Sequence, residues 1–215
     1  MSQEKSKKSK KYFDNVSVGN RTQQSAYFVQ NHDKKRLFFE LFGGLKEKRV
    51  LVLLKSKRRG DELAEYLKEK EVSALCVHGN HRASQIEEAA AAFNANASKI
   101  FITTDKILQK LTLESIDVVL NYDLPVEAAD YFKGLILVDE RGEGISFVDP
   151  DDELILAKIE HMMKTEMQEV EREDFQHTKV ETSQPKDKTK KPRHKKVEQR
   201  AKRKAEIKSK WVPSK

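Results

Sequence analysis

A single cysteine, Cys76, excludes an internal disulfide and fits a reducing compartment, the cytoplasm. It sits in the apolar run SALCVHG, so it reads as a buried structural thiol rather than a nucleophile. The six histidines form no pair at metal-ligand spacing, which argues against a zinc site or any other metal. No run approaches the roughly 18 apolar residues that a spanning helix needs, so no membrane contact is expected. The first residues, MSQEKSKKSKK, are basic but lack an apolar stretch, and they do not read as a secretory signal. Apolar residues are scarce overall, at 37% against 36% charged, which predicts that part of the 215 residues lies outside any packed core.

Charge is plentiful but uneven. The chain carries +7 overall. Residues 1–11 hold five lysines against one glutamate, and residues 186–215 hold 14 lysines and arginines against three acids. The residues between them therefore carry the remaining −8. The length and this partition predict a basic N-terminal extension over 1–22, one acidic domain over 23–172 and a basic tail over 173–215. A basic tail is an electrostatic footprint for nucleic acid or an anionic surface; the competing reading is a solvated, disordered tail that aids solubility. Within it, Lys195, Lys196, Arg200, Lys202, Arg203 and Lys204 are candidate phosphate contacts, and Trp211 is placed to stack on an unpaired base.

The middle alternates. SAYFVQ (25–30) reads as a strand. NHDKKRLFFELFGGL reads as a helix capped by Asn31 or Asp33, faced by Leu37, Phe38 and Leu41, and stopped by Gly43 and Gly44. RVLVLLK (49–55) is a continuous apolar run of the kind buried on both faces of a sheet. An amphipathic helix over 58–70 follows, then strand 72–78, helix 83–93, strands 99–104 and 116–122, a short helix around VEAADYF, and strands near LILVD and GISFVD. The last helix is predicted over 150–170, with a stripe of Ile155, Ile159, Met162 and Met163 that either packs on the domain or offers a methionine-rich partner surface. Alternation of this kind predicts a parallel α/β sheet with ligands at the carboxyl ends of its strands. The turns after Lys55, His78 and Thr104 then share one edge.

Three stretches in order carry a resemblance. RVLVLLKSKRRGDELAEYLKEK is similar to the fourth helicase motif and its following helix. VHGNHRASQIEEAAAAFNANASKIFITTD is similar to an H-G-(D/N) turn, a helix and a T-D motif. VVLNYDLPVEAADYF is similar to an N-Y-D-x-P segment that ends in D-Y. Together they resemble the second, C-terminal RecA-like domain of DEAD-box RNA helicases over roughly residues 23–160. The fold this implies is α/β, a parallel-sheet RecA-like domain of the P-loop NTPase type, with a C-terminal helix and basic disordered tails.

The same resemblance implies RNA as partner, structured or ribosomal. It places Gly79, Asn80, Thr104 and Asp105 against RNA phosphates, through backbone amides and the threonine hydroxyl. Lys55, Ser56, Lys57, Arg58 and Arg59 form a local basic patch beside them, which reads equally as the solvated start of a helix.

Departures are as informative. Ala83 and Ile86 stand where the family has glutamine and arginine. Gln109, Lys110 and Thr112 stand where arginine, glycine and aspartate belong. Lys133, Gly134, Leu137 and Glu140 replace the histidine and three arginines that contact ATP phosphates, with Arg141 nearby but out of register. These 215 residues contain neither a G-x-x-x-x-G-K-(S/T) loop nor a D-E-A-D stretch. The expected activity is RNA binding without ATPase and without a cofactor. The alternatives are a protein-interaction module built on the acidic domain and the Met-bearing helix, and half of an active helicase completed by another chain.

Overall fold

The computed structural model describes residues 14–172 and 174–178. The candidate contacts from Lys195 to Trp211 lie outside the described residues. Among the described residues, seven strands form one all-parallel sheet: β1 (Gln23–Phe28), β2 (Val50–Leu54), β3 (Ala74–Val77), β4 (Ile100–Thr104), β5 (Ile116–Asn121), β6 (Val138–Val148) and β7 (Gln168–Glu169). Their order across the sheet is β3-β4-β2-β5-β6-β1-β7. Seven α-helices among the same residues flank it: α1 (Asn15–Arg21), α2 (Lys34–Phe42), α3 (Lys57–Glu69), α4 (Ala83–Asn94), α5 (Asp105–Leu108), α6 (Ala128–Leu135) and α7 (Glu153–Met163). This is the RecA-like arrangement that the resemblance implies.

The apolar run at 50–54 is central because both of its faces are covered. Leu51 and Leu53 point into a core shared with Phe93 of α4 and Tyr131, Phe132 and Leu135 of α6. Val50, Val52 and Leu54 point the other way, toward Leu37 and Phe38 of α2 and Leu63 and Leu67 of α3. Period-two alternation thus divides one strand between two cores.

Some predicted bounds shift. The run LILVD does not form a strand of its own. Leu135 closes the apolar face of α6, on the side already occupied by Tyr131 and Phe132, and β6 begins only at Val138. That strand continues through GISFV, with a register shift against β5 between Ile116 and Val118. The final helix starts with a 3-10 turn at Pro150–Asp152 and stops at Met163, well short of residue 170. Lys164 takes a left-handed conformation, φ 57°, and the buried Met167 donates its N–H to Glu160 Oε1 at 3.0 Å. Residues 168–169 can then pair with β1 as β7.

Ile159 and Met163 are fully buried, and Ile155 and Met162 pack part-buried on the same core, so this stripe faces the domain. α1 is an element the sequence pattern does not announce. Asp14 caps it by accepting the Ser17 N–H at 2.9 Å. Gly19 lies so close to the Met163 side chain that even a methyl group would collide with it. Arg21 Nη2 donates to the carbonyls of Leu135, Ile136 and Val138 at 3.0–3.2 Å, placing positive charge on the carboxyl end of α6.

Candidate nucleic-acid interface

In a parallel sheet every strand ends on the same edge. Leu54 pairs with Thr104 and Val77 with Thr103, so the turns that begin at Lys55, His78 and Asp105 lie side by side. The structure joins two of the predicted groups directly. Lys57 Nζ donates to Asn80 Oδ1 at 2.7 Å, and a side chain at Gly79 would begin 3.4 Å from the Lys57 chain. Lys57, Gly79 and Asn80 are all exposed. The β3–α4 turn between them is pinned by the His78 ring, whose Nδ1 accepts the Asn80 N–H at 3.4 Å.

The basic patch is not a uniform positive surface. Lys55 pairs with Asp152 at 2.9 Å, Arg58 with Glu62 at 2.8 Å, and Arg59 with Asp123. Of the four cations in the patch, Lys57 alone makes no ion pair among the described residues. Ser56 is the residue before α3, and its side chain makes no capping bond. Asp123 organises the edge. It accepts from Lys34 Nζ at 3.0 Å, from Arg59, and from the Lys55 N–H at 3.3 Å. Lys34 itself is fully buried. Desolvation lowers its pKa, and the Asp123 carboxylate opposes that fall. Nothing in the amphipathic pattern of α2 marks Lys34 as different from the exposed Lys35 beside it.

Thr104 and Asp105 are half-buried where β4 passes into α5. Burial pushes the Asp105 carboxyl up to about 6 from 3.8, Asp130 adds to the shift, and Lys133 and Lys55 oppose it. A carboxyl raised in this way contributes most to stability below its unfolded value of 3.8, and that contribution is lost as pH rises through about 6. Asp105→Asn is therefore expected to stabilise the fold at neutral pH by on the order of 1–2 kcal/mol, after allowance for solvent screening. The gain should shrink as pH falls from about 6 towards 3.8. Thermal unfolding of both forms across this range checks it; a gain independent of pH would remove the carboxyl's charge as the cause.

The positions that the resemblance equates with phosphate-contacting residues present a different surface. Lys133 pairs with Asp130 at 2.5 Å. Gly134 is buried, and a Cβ there would lie 2.8 Å from Leu53 Cδ1 and 3.2 Å from Val119 Cγ1. Leu137 packs part-buried on the core.

Strand order and flanking helices define a RecA-like α/β fold. Residues 33–135 match the family "Helicase conserved C-terminal domain". The ATP-dependent RNA helicase SUB2-2 of Vanderwaltozyma polyspora is 30% identical over 151 residues, covering 68% of this chain and 34% of that protein. The C-terminal domain of the DEAD-box protein Dbp5 superposes with a TM-score of 0.62 at 26% identity, over 70% of this chain and 91% of that domain. S. cerevisiae Dbp5 bound to RNA and ADP BeF3 gives 0.67 at 23% identity, over 74% of this chain and 44% of that protein, a likeness of fold. The chain thus holds a helicase C-terminal fold related to that of DEAD-box RNA helicases, and it spans about a third of the length of SUB2-2.

Proposed function

We propose that this chain is an RNA-binding, helicase C-terminal-like domain that acts in RNA metabolism and has no ATPase or unwinding activity by itself. One observation carries this reading. The strand-end turns keep Lys57, Gly79 and Asn80 together on the open edge, while Lys133, Gly134 and Leu137 take up the arginine-bearing segment and are partly absorbed into ion pairing and core packing. The homology to RNA helicases supports RNA as the partner. No helix among the described residues is long and apolar enough to cross a membrane.

The ion pairs around Lys55, Arg58 and Arg59 leave the edge little free positive charge, so residues 186–215 supply most of the affinity. Residues 186–215 carry mainly lysines, which act as mobile charges on phosphates rather than a fixed fork reading bases. Engaging about six phosphates of single-stranded RNA gives a log–log salt slope of roughly −4. A chain truncated after Pro185 is expected to lose most of its affinity and most of that slope when the same RNA is titrated across a range of salt. Unchanged affinity and slope would shift the interaction to Lys57, Gly79, Asn80 and Thr104.

A further inference from the structure

His78 and Cys76 are two residues apart on the path of β3, so both side chains leave the same face of the sheet, the face that α3 covers. Asp61 comes to that face from the second turn of α3, fifteen residues before Cys76 in sequence. One donor atom from each of the three lies within 4.8 Å of the others. Gly60 makes the approach possible: a Cβ there would already stand 3.4 Å from the Cys76 sulfur. His78 Nε2 meets Asp61 Oδ1 at 2.8 Å. The imidazole is held in place by its neighbours. The His78 main-chain N–H donates to His81 Nδ1 at 3.1 Å, and the two rings pack with centroids 4.3 Å apart.

We propose that Asp61, Cys76 and His78 form a binding site for one thiophilic divalent cation, with Zn2+ the preferred ion. A sulfur, a nitrogen and a carboxylate oxygen together suit zinc over magnesium or calcium, which take oxygen ligands. Three protein ligands leave a fourth tetrahedral position for water. Exposure falls across the site in the order an entry path requires. The Asp61 side chain is 61% exposed, Cys76 is half-buried, and the His78 side chain is 6% exposed. Zinc bonds of about 2.0–2.3 Å require the donors to draw closer than 4.8 Å, a movement the exposed carboxylate can make.

The protons balance. Cys76 releases its thiol proton to solvent. His78 keeps one proton, moved from Nε2 to Nδ1, at the cost of the long 3.4 Å bond from the Asn80 N–H. Thiolate and carboxylate then neutralise the two charges of the ion. Such an ion would tie α3, at Asp61, to the end of β3, next to Gly79 and Asn80.

The test uses the full chain with Co2+ and then Zn2+. One equivalent of Co2+ is expected to give a near-ultraviolet thiolate charge-transfer band together with tetrahedral d–d bands, and Zn2+ should displace it, slow alkylation of Cys76 and raise the melting temperature. Cys76→Ser should abolish the charge-transfer band, and Cys76→Ser and Asp61→Asn should each weaken Zn2+ binding by at least about tenfold. No thiolate band in the wild type overturns the proposal, as does Zn2+ binding that Cys76→Ser leaves unchanged, which would move the ion to another group such as His32 and His177. Should Cys76→Ser fail to fold, the wild-type cobalt spectrum decides the matter by itself.

Discussion

Replacing Asp123 by alanine is expected to cost about 3–5 kcal/mol of folding stability, more than a typical substitution on this surface-facing edge. The cause is the cation left behind. Lys34 Nζ is fully enclosed, and Asp123 is the carboxylate at 3.0 Å from it. Removing the acid leaves a buried ammonium that must either stay charged without its partner or deprotonate, and it also frees Arg59. For a domain of this size the melting temperature should fall by roughly 10 °C. Lys34→Met in the same background should recover much of the loss, because an apolar pair of similar volume avoids the desolvation that the ion pair must offset. Urea melts of the two single variants and the double variant test this. A cost below about 1 kcal/mol for Asp123→Ala would show that water reaches Lys34 and that the pair behaves as a surface one.

The second large effect is on catalysis. Phosphate release by this chain, with saturating RNA, ATP and magnesium, is expected to match the rate without protein. An arginine that stabilises the transferring phosphoryl group contributes on the order of 10³ to 10⁵ in rate. The resemblance puts arginines at 134, 137 and 140, where this chain has glycine, leucine and glutamate. Position 134 could not be restored by a simple reversion. Its missing Cβ would meet Leu53 at 2.8 Å, so an arginine there would push α6 away from β2 and β5 before it reached any phosphate. Turnover near the ordinary enzyme range of about 1 s⁻¹ would overturn the proposal of a catalytically silent domain.

Much of the sheet was legible because its strands are short, apolar and bounded. VLVLL, IFITT and IDVVLN are set off by helices with clear amphipathic faces, and the structure places a strand at each. LILVD misled because an apolar run of that length suits either a strand end or a helix end, and only the neighbouring Tyr131 and Phe132 decide for α6. The end of α7 depends on Met167 finding the core and on β1 offering an edge, and both are long-range facts. The strand-end placement of Gly79, Asn80, Thr104 and Asp105 was legible from motif wording and the strand pattern. The loss of free charge at Lys55, Arg58 and Arg59 was not, because Asp152 and Asp123 approach from distant parts of the chain. Lys34 escaped for the same reason. Cys76, expected to be buried, is half-buried, and burial together with Asp61 holds its thiol up at about 12. Its meeting with Asp61 and His78 depends on how α3 lies over β3, which histidine spacing does not encode.

The place of β1 bears on how the chain is made. This strand precedes the other six described strands in the chain, yet it lies between β6 and β7, paired from Gln23 with Glu143 to Phe28 with Val148. A nascent chain exposes Ala26 and the residues around it until some 120 further positions have left the ribosome. Closing so long a loop before any pairing energy returns slows folding. The segment from β2 to β5 can assemble first and wait. A stalled or truncated chain ending before β6 would therefore present an unpaired strand to chaperones or to other copies of itself.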